Sequence, residues 1–160
     1  AFVTEDRKTE GLVLGMNIAS NISLTTLTSD KLLDARQEQQ NAQSYIDSLA
    51  IKTPSSQQLC LNLSGGNQQK VVLAKWLATN PSILMLDEPT RGIDINAKNE
   101  IYELIKKLSQ EGKSFIVVSS EIPELLALAD RFLVMSGGRI TAEFSAEKAD
   151  EDKLLKAAIS

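Results

Sequence analysis

The chain of 160 residues contains no histidine. No imidazole can act as general base, metal ligand or pH switch, so serine–histidine–aspartate chemistry and most zinc sites are excluded. The single cysteine, Cys60, cannot close an internal disulfide. Such a residue is most often a small buried hydrophobe. Apolar runs such as Ile83-Leu84-Met85-Leu86 fall far short of the ~20 residues that a membrane-spanning helix needs. Basic residues are in deficit, 17 against 21 acidic, for a net charge of −4. That balance argues against a general binder of phosphodiester backbones, which would carry a basic face. Any catalysis therefore falls to carboxylates, hydroxyls, amides or a bound metal.

With 42% hydrophobic and 24% charged residues, the chain is long enough for one domain with a real core. Ala1-Phe2-Val3 reads as the tail of a strand, followed by the polar run Thr4-Glu5-Asp6-Arg7-Lys8. Nothing starts a domain there, so the chain is expected to be a piece of a longer one. Residues 18–50 shift to Ser, Thr, Gln and Leu without β-branched alternation, as a small helical subdomain would. Asp30 is a candidate N-cap for a helix from Lys31 towards Ala50, and Thr53-Pro54-Ser55-Ser56 is a turn.

Beyond Leu63 the texture changes. Ser64 opens a helix with Val71, Ala74, Leu77 and Ala78 at helical spacing, and Asn80-Pro81 stops it. The run 83–86 predicts a strand buried on both faces. A helix over 96–110, a strand over 114–119 and a short helix over 121–129 come next, the last with Pro123 in its first turn. Strands at 132–135 and 139–144 flank Ser136-Gly137-Gly138 as a hairpin, and a helix over 146–159 closes the chain. The alternation of strands and helices implies an α/β fold with a parallel sheet.

Two stretches carry chemistry. The strand ending in Asp87-Glu88 delivers both acids to the carboxyl edge of the sheet, where α/β proteins place ligands. Asp87 suits Mg²⁺, held mainly through water, and Glu88 suits orienting and polarising an attacking water in nucleotide hydrolysis. The same pair also reads as an acidic cap or a solvated loop. In Leu63-Ser64-Gly65-Gly66-Asn67-Gln68-Gln69-Lys70, two glycines admit an anion close to the backbone, and the helix start offers unpaired N–H groups. The Ser64 hydroxyl adds a donor. A plain Ser-Gly-Gly turn capping a helix is the other reading. Together the two stretches are far more specific than either alone.

The runs LSGGNQQK, ILMLDEPT and RGID resemble the signature motif, Walker B strand and D-loop of ATP-binding cassette proteins. LSGGNQQK with DEPTRGID is most similar to the second cassette of the tandem ATPase subunits of bacterial monosaccharide importers. EDRKTEGLVLGM and VVSSEIPE resemble the ribose-type members. The likeness covers nearly the whole chain and is densest over 63–94.

It implies an α/β, partial P-loop NTPase fold: a mostly parallel sheet plus a small helical subdomain. The segments would be 1–16, the end of a core strand and the region equivalent to the Q-loop; 17–62, the helical subdomain; 63–145, the signature helix and α/β core with its hairpin; and 146–160, the terminal helix. ATP and Mg²⁺ are the implied cofactors of the intact protein. The implied partners are the other cassette of the same subunit, the membrane permease, and indirectly an external sugar-binding protein, with no nucleic acid. The implied location is peripheral, on the cytoplasmic face of the bacterial membrane. Ser64, Gly65 and Gly66, with Gln68, would contact ATP held by the partner cassette. Asp87, through Mg²⁺, and Glu88 would act on this cassette's own nucleotide, and Asp94 of the D-loop would lie at the cassette interface. Residues 17–50 would face the permease.

The chain departs from the family pattern in three places. It has no G-x-x-x-x-G-K-[ST] loop, so it is expected neither to hold ATP tightly nor to hydrolyse it alone. Ser120 stands where most cassettes carry a switch histidine, as in similar second cassettes, which implies a weak site at Asp87 and Glu88. Glu5 or Asp6 stands where most carry the Q-loop glutamine, a solvated loop being the alternative. The missing loop's strand would lie between those near Phe115 and Phe132, and its absence predicts exposed edges and self-association. The rival readings are a cassette ATPase of DNA repair or chromosome organisation, a non-catalytic regulatory cassette, and a purely structural domain.

Overall fold

The computed structural model describes residues 1–27 and 34–159. They divide into two compact units, Ala1–Ile116 and the remainder from Val117. In the first, β1 (Phe2–Val3) lies parallel to β2 (Ile83–Asp87), with Phe2 opposite Met85 and Val3 opposite Leu86. β3 (Ser114–Val118) flanks β2 on its other side, and Ser114 N donates to Ser82 O at 2.9 Å.

The expectation that β2 is buried on both faces is overturned. Val3, Leu84 and Leu86 are buried, whereas Phe2, Ile83 and Met85 are about half exposed, at 45, 51 and 43%. Side chains alternate across a strand, and among the described residues only one face of this sheet is covered. Ile116 is exposed as well.

The covering face is built mainly by α3 (Gly65–Leu77), which packs on β1 and on α4 (Ile95–Gln110). Val71, Val72, Leu73 and Ala74 are wholly buried, so this helix is covered around most of its girth. In α4 the buried Ile101, Leu104, Ile105 and Leu108 form a single stripe, as helical spacing predicts.

The stretch 17–62 is largely helical. In α1 (Ile18–Ser23) Asn17 is the N-cap, its Oδ1 accepting from Ser20 N at 2.8 Å. Buried Asn21 accepts from Val13 N at 2.9 Å and donates to Val13 O, Asn17 O and the sulfur of buried Cys60. In α2 (Ala35–Ser48) the cap is Asp34, accepting from Arg36 N at 2.9 Å. The expected cap at Asp30 and helix start at Lys31 lie outside the described residues.

In the second unit, β4 (Arg131–Ser136) and β5 (Arg139–Ser145) form an antiparallel hairpin of their own. Gly137 and Gly138 both have left-handed φ, 55° and 76°, as a tight two-residue turn requires. α5 (Ile122–Leu128) holds Pro123 in its first turn, and α6 (Glu151–Ile159) packs on β4 through buried Leu154. α6 begins later than residue 146. Lys148 N and Ala149 N both turn back to Ser145 O, and Asp150 then caps the helix by accepting from Lys153 N at 2.9 Å.

Candidate nucleotide site

β2 ends in Asp87, and the chain turns sharply at Glu88, whose φ of 47° is left-handed. That conformation costs a non-glycine residue about 1–2 kcal/mol. The next three residues hold it in place: Pro89 and Thr90 are buried, and Arg91 N donates to Glu88 O at 3.1 Å. Strain sustained in this way turns Glu88 out of the strand direction at the carboxyl edge of the sheet. Both acids are half-buried. Among the described residues no group of three or more acidic or thiol side chains gathers to cage a metal. A half-buried carboxylate at Asp87 suits Mg²⁺, which keeps its waters and takes one or two protein oxygens beside phosphate ligands. The donor chemistry fits that cation.

The second stretch begins α3. Ser64 is its N-cap residue, exposed, and its side chain makes no cap hydrogen bond; instead its Oγ accepts from Asn67 Nδ2 at 2.9 Å. The Ser64 hydroxyl proton and the first-turn amides are therefore not consumed by a side-chain cap. The glycines answer a packing demand too. A Cβ at Gly66 would lie 2.6 Å from Ala97 Cβ, and one at Gly65 would lie 2.8 Å from Arg7 Nη2 and 3.1 Å from Ile93 Cγ2. Close approach of α3 to Ala97 of α4 leaves no room for a Cβ at Gly66, whereas one at Gly65 would require Arg7 and Ile93 to shift.

The rest of the stretch points inward. Gln68 is buried, its Nε2 donating to Cys60 O at 3.0 Å while its Oε1 is buried without a partner among the described residues. Lys70 is also buried, donating to Ala50 O and Glu100 Oε2, both at 2.9 Å. Lys52 Nζ meets the other Glu100 oxygen at 2.8 Å, and Lys52 N donates to Asn67 Oδ1 at 2.8 Å. Hydrogen bonds from Lys52 and then Lys70 hold the Glu100 carboxyl down to about 2.

Asp94 is exposed and caps α4, accepting from Ala97 N at 3.0 Å. Glu5 pairs with Arg91, which links the segment after β1 to the loop after β2. Asp6 caps the π-helical turn Arg7–Gly11, accepting from Lys8 N at 2.9 Å, and that hydrogen bond lowers its pKa. In the second unit Ser120 is exposed just beyond β3; its neighbour Ser119 donates to buried Glu124 at 2.5 Å and accepts from Glu121 N. In the first unit, then, Glu5, Ser64, Gly65, Gly66, Asp87, Glu88 and Asp94 stand on short segments joined by direct contacts or by adjacency in sequence. Sequence reasoning missed Arg7, which donates to Arg91 O at 2.6 Å and Gly92 O at 3.2 Å. Its place in a run of charges gave no signal.

A strand-borne acid pair and a glycine-led helix on one α/β core are the features that the resemblance to ATP-binding cassettes leads one to expect. The fold matches that of the dimeric ATP-binding cassette MJ0796 in a post-hydrolysis state bound to ADP and Pi, with a TM-score of 0.75 at 24% identity over 91% of this chain and 62% of that one. The chain belongs to the ABC transporter family, whose profile matches residues 3–91. It is 51% identical over 99% of its length to the ribose import ATP-binding protein RbsA of Rhodopirellula baltica. It is 47% identical to the RbsA of Clostridium tetani, and 52% identical over 99% of its length to the xylose import ATP-binding protein XylG of Moorella thermoacetica. The chain spans about a third, 32%, of the length of each of these relatives.

Proposed function

We propose that this chain is the signature-bearing, carboxyl-terminal part of the second cassette in an ATPase subunit that drives monosaccharide import, with ribose as the sugar. The observation that carries the reading is the strained turn at Glu88, which sets a carboxylate beside Asp87 at the carboxyl edge of a parallel sheet. The similarity to ribose and xylose import ATP-binding proteins supports it.

In this reading Asp87 carries Mg²⁺ through water, and Glu88 orients the attacking water and accepts its proton. Mg²⁺, when bound, neutralises charge on the phosphates. Ser64, Gly65 and Gly66 donate to a triphosphate gripped by the other cassette of the same subunit, where fixed donors are worth a few kcal/mol each. Gln68, expected from the resemblance to contact nucleotide, is buried with its Nε2 on Cys60 O and is not given that role, and Asp94 faces the cassette interface. Ser120, unable to take a proton, leaves the site at Glu88 slow, and Glu5 or Asp6 takes the Q-loop position. Residues 17–50 face the permease, and the subunit works at the cytoplasmic face of the membrane. The chain by itself neither holds ATP tightly nor turns it over, for want of a phosphate-cradling loop and its lysine.

The test compares ATP turnover in the full-length subunit with its permease for wild type, Glu88→Gln and Ser64→Arg. Ser64→Arg is expected to lower turnover by roughly a hundredfold or more, with a smaller loss in Glu88→Gln because its site is slow. Wild-type turnover by the 160-residue chain alone, or no loss in either variant, would sink the reading.

A further inference from the structure

We infer that Arg7 is a positioning residue whose guanidinium locks the loop at Arg91 and Gly92 to the start of α3, so that the turn at Ser64 and the D-loop are held in one fixed spacing. The inference rests on the ATPase reading.

The geometry is that of a fork. Nη1 reaches Arg91 O at 2.6 Å and Nη2 reaches Gly92 O at 3.2 Å, two consecutive carbonyls served by one planar group. Gly92 has a φ of 67°, a left-handed conformation that glycine adopts without strain. The missing side chain of Gly65 leaves room for the same guanidinium: a Cβ there would meet Nη2 at 2.8 Å. One group is therefore bonded to the loop after β2 and packed against the first residue of α3. Its third nitrogen, Nε, is buried without a partner among the described residues. A solvated surface arginine would have no reason to keep that cost. The Glu5–Arg91 ion pair straps the same loop a second time from the same segment. In the proposed reaction the turn at Ser64 meets the partner's nucleotide while the D-loop faces the cassette interface, so their spacing bears on turnover rather than on ATP affinity.

Lysine at position 7 would keep the charge and the stem but offer a point donor instead of a fork. In the full-length subunit with its permease, Arg7→Lys is expected to lower kcat roughly tenfold or more, with KM for ATP changed less than about twofold and thermal stability retained. Arg7→Gln, which keeps one amide donor, is expected to shift in the same direction. Amide hydrogen exchange on the same proteins is expected to quicken at residues 65–67 and at 91–94 together, with 18–23 unchanged. A wild-type kcat in Arg7→Lys, a loss that merely tracks stability, or faster exchange in only one of the two segments overturns the inference. Turnover that responds to Arg7→Lys but to neither Glu88→Gln nor Ser64→Arg would instead overturn the ATPase reading, and the exchange data decide the coupling independently of it.

Discussion

At Gly66 two demands fall on one residue. The absence of a side chain makes room for Ala97, 2.6 Å from where a Cβ would stand, and in the proposed reading it also lets a phosphate approach the backbone. Gly66→Ala is therefore expected to destabilise the fold by about 1–3 kcal/mol through overpacking. Adding Ala97→Gly should recover much of that, measured as denaturant midpoints. Full recovery of stability without recovery of turnover would separate the two roles. Glu100 makes a second residue-level case. Its carboxyl, held near 2 by Lys52 and Lys70, lies below its unfolded value of about 4.3, so its contribution is present above that pH and drains away as pH falls towards 2. Glu100→Gln should flatten the decline of stability between roughly pH 4.5 and 2. At neutral pH it should lose on the order of 1 kcal/mol, because Glu100 is partly exposed while Lys70 is buried beside it. Urea titrations across that range would show both effects.

Among the elements, those with a clear period were legible. The stripe of α4, the helical spacing of α3 and the glycine pair of the hairpin arise from local chemistry, and the bounds of α4 and the hairpin strands fall within a residue or two of expectation. Two features escaped because they depend on neighbours. An unbroken apolar run cannot say that one face of β2 is left uncovered, since that is decided by where the helices pack. Residues 146–149 favour a helix by propensity, yet the turn onto Ser145 O and the cap at Asp150 delay α6 to Glu151. The acid pair and the glycine turn were readable as motifs, but neither the strain at Glu88 nor the fork of Arg7 could be, since both arise from long-range packing. If Asp150 starts α6, Asp150→Ala should cost about 1 kcal/mol. Hydrogen exchange would locate the loss in the first turn of α6, with α3 unaffected.

On the scale of the whole molecule, the open face of the first unit's sheet governs behaviour in solution. Phe2, Ile83 and Met85 lie on one side by register and alternation, and Ile116 is exposed on the neighbouring strand. Contiguous apolar surface of this kind drives association. Sedimentation of the 160-residue chain is expected to show a mass that rises with concentration, and Met85→Glu should shift it towards monomer. A concentration-independent monomer in the wild type would refute this.

Cys60 lends itself to a practical use. The only thiol in the chain sits fully buried beneath Asn21, and burial pushes it up to about 11, so at neutral pH it offers little thiolate and no access. Maleimide dyes or spin labels directed at cysteines introduced on the surface, for instance at Asn96 or Ser109, should attach selectively without first deleting the native sulfur. Distances across this chain could then be followed by fluorescence or electron resonance in an otherwise unaltered background.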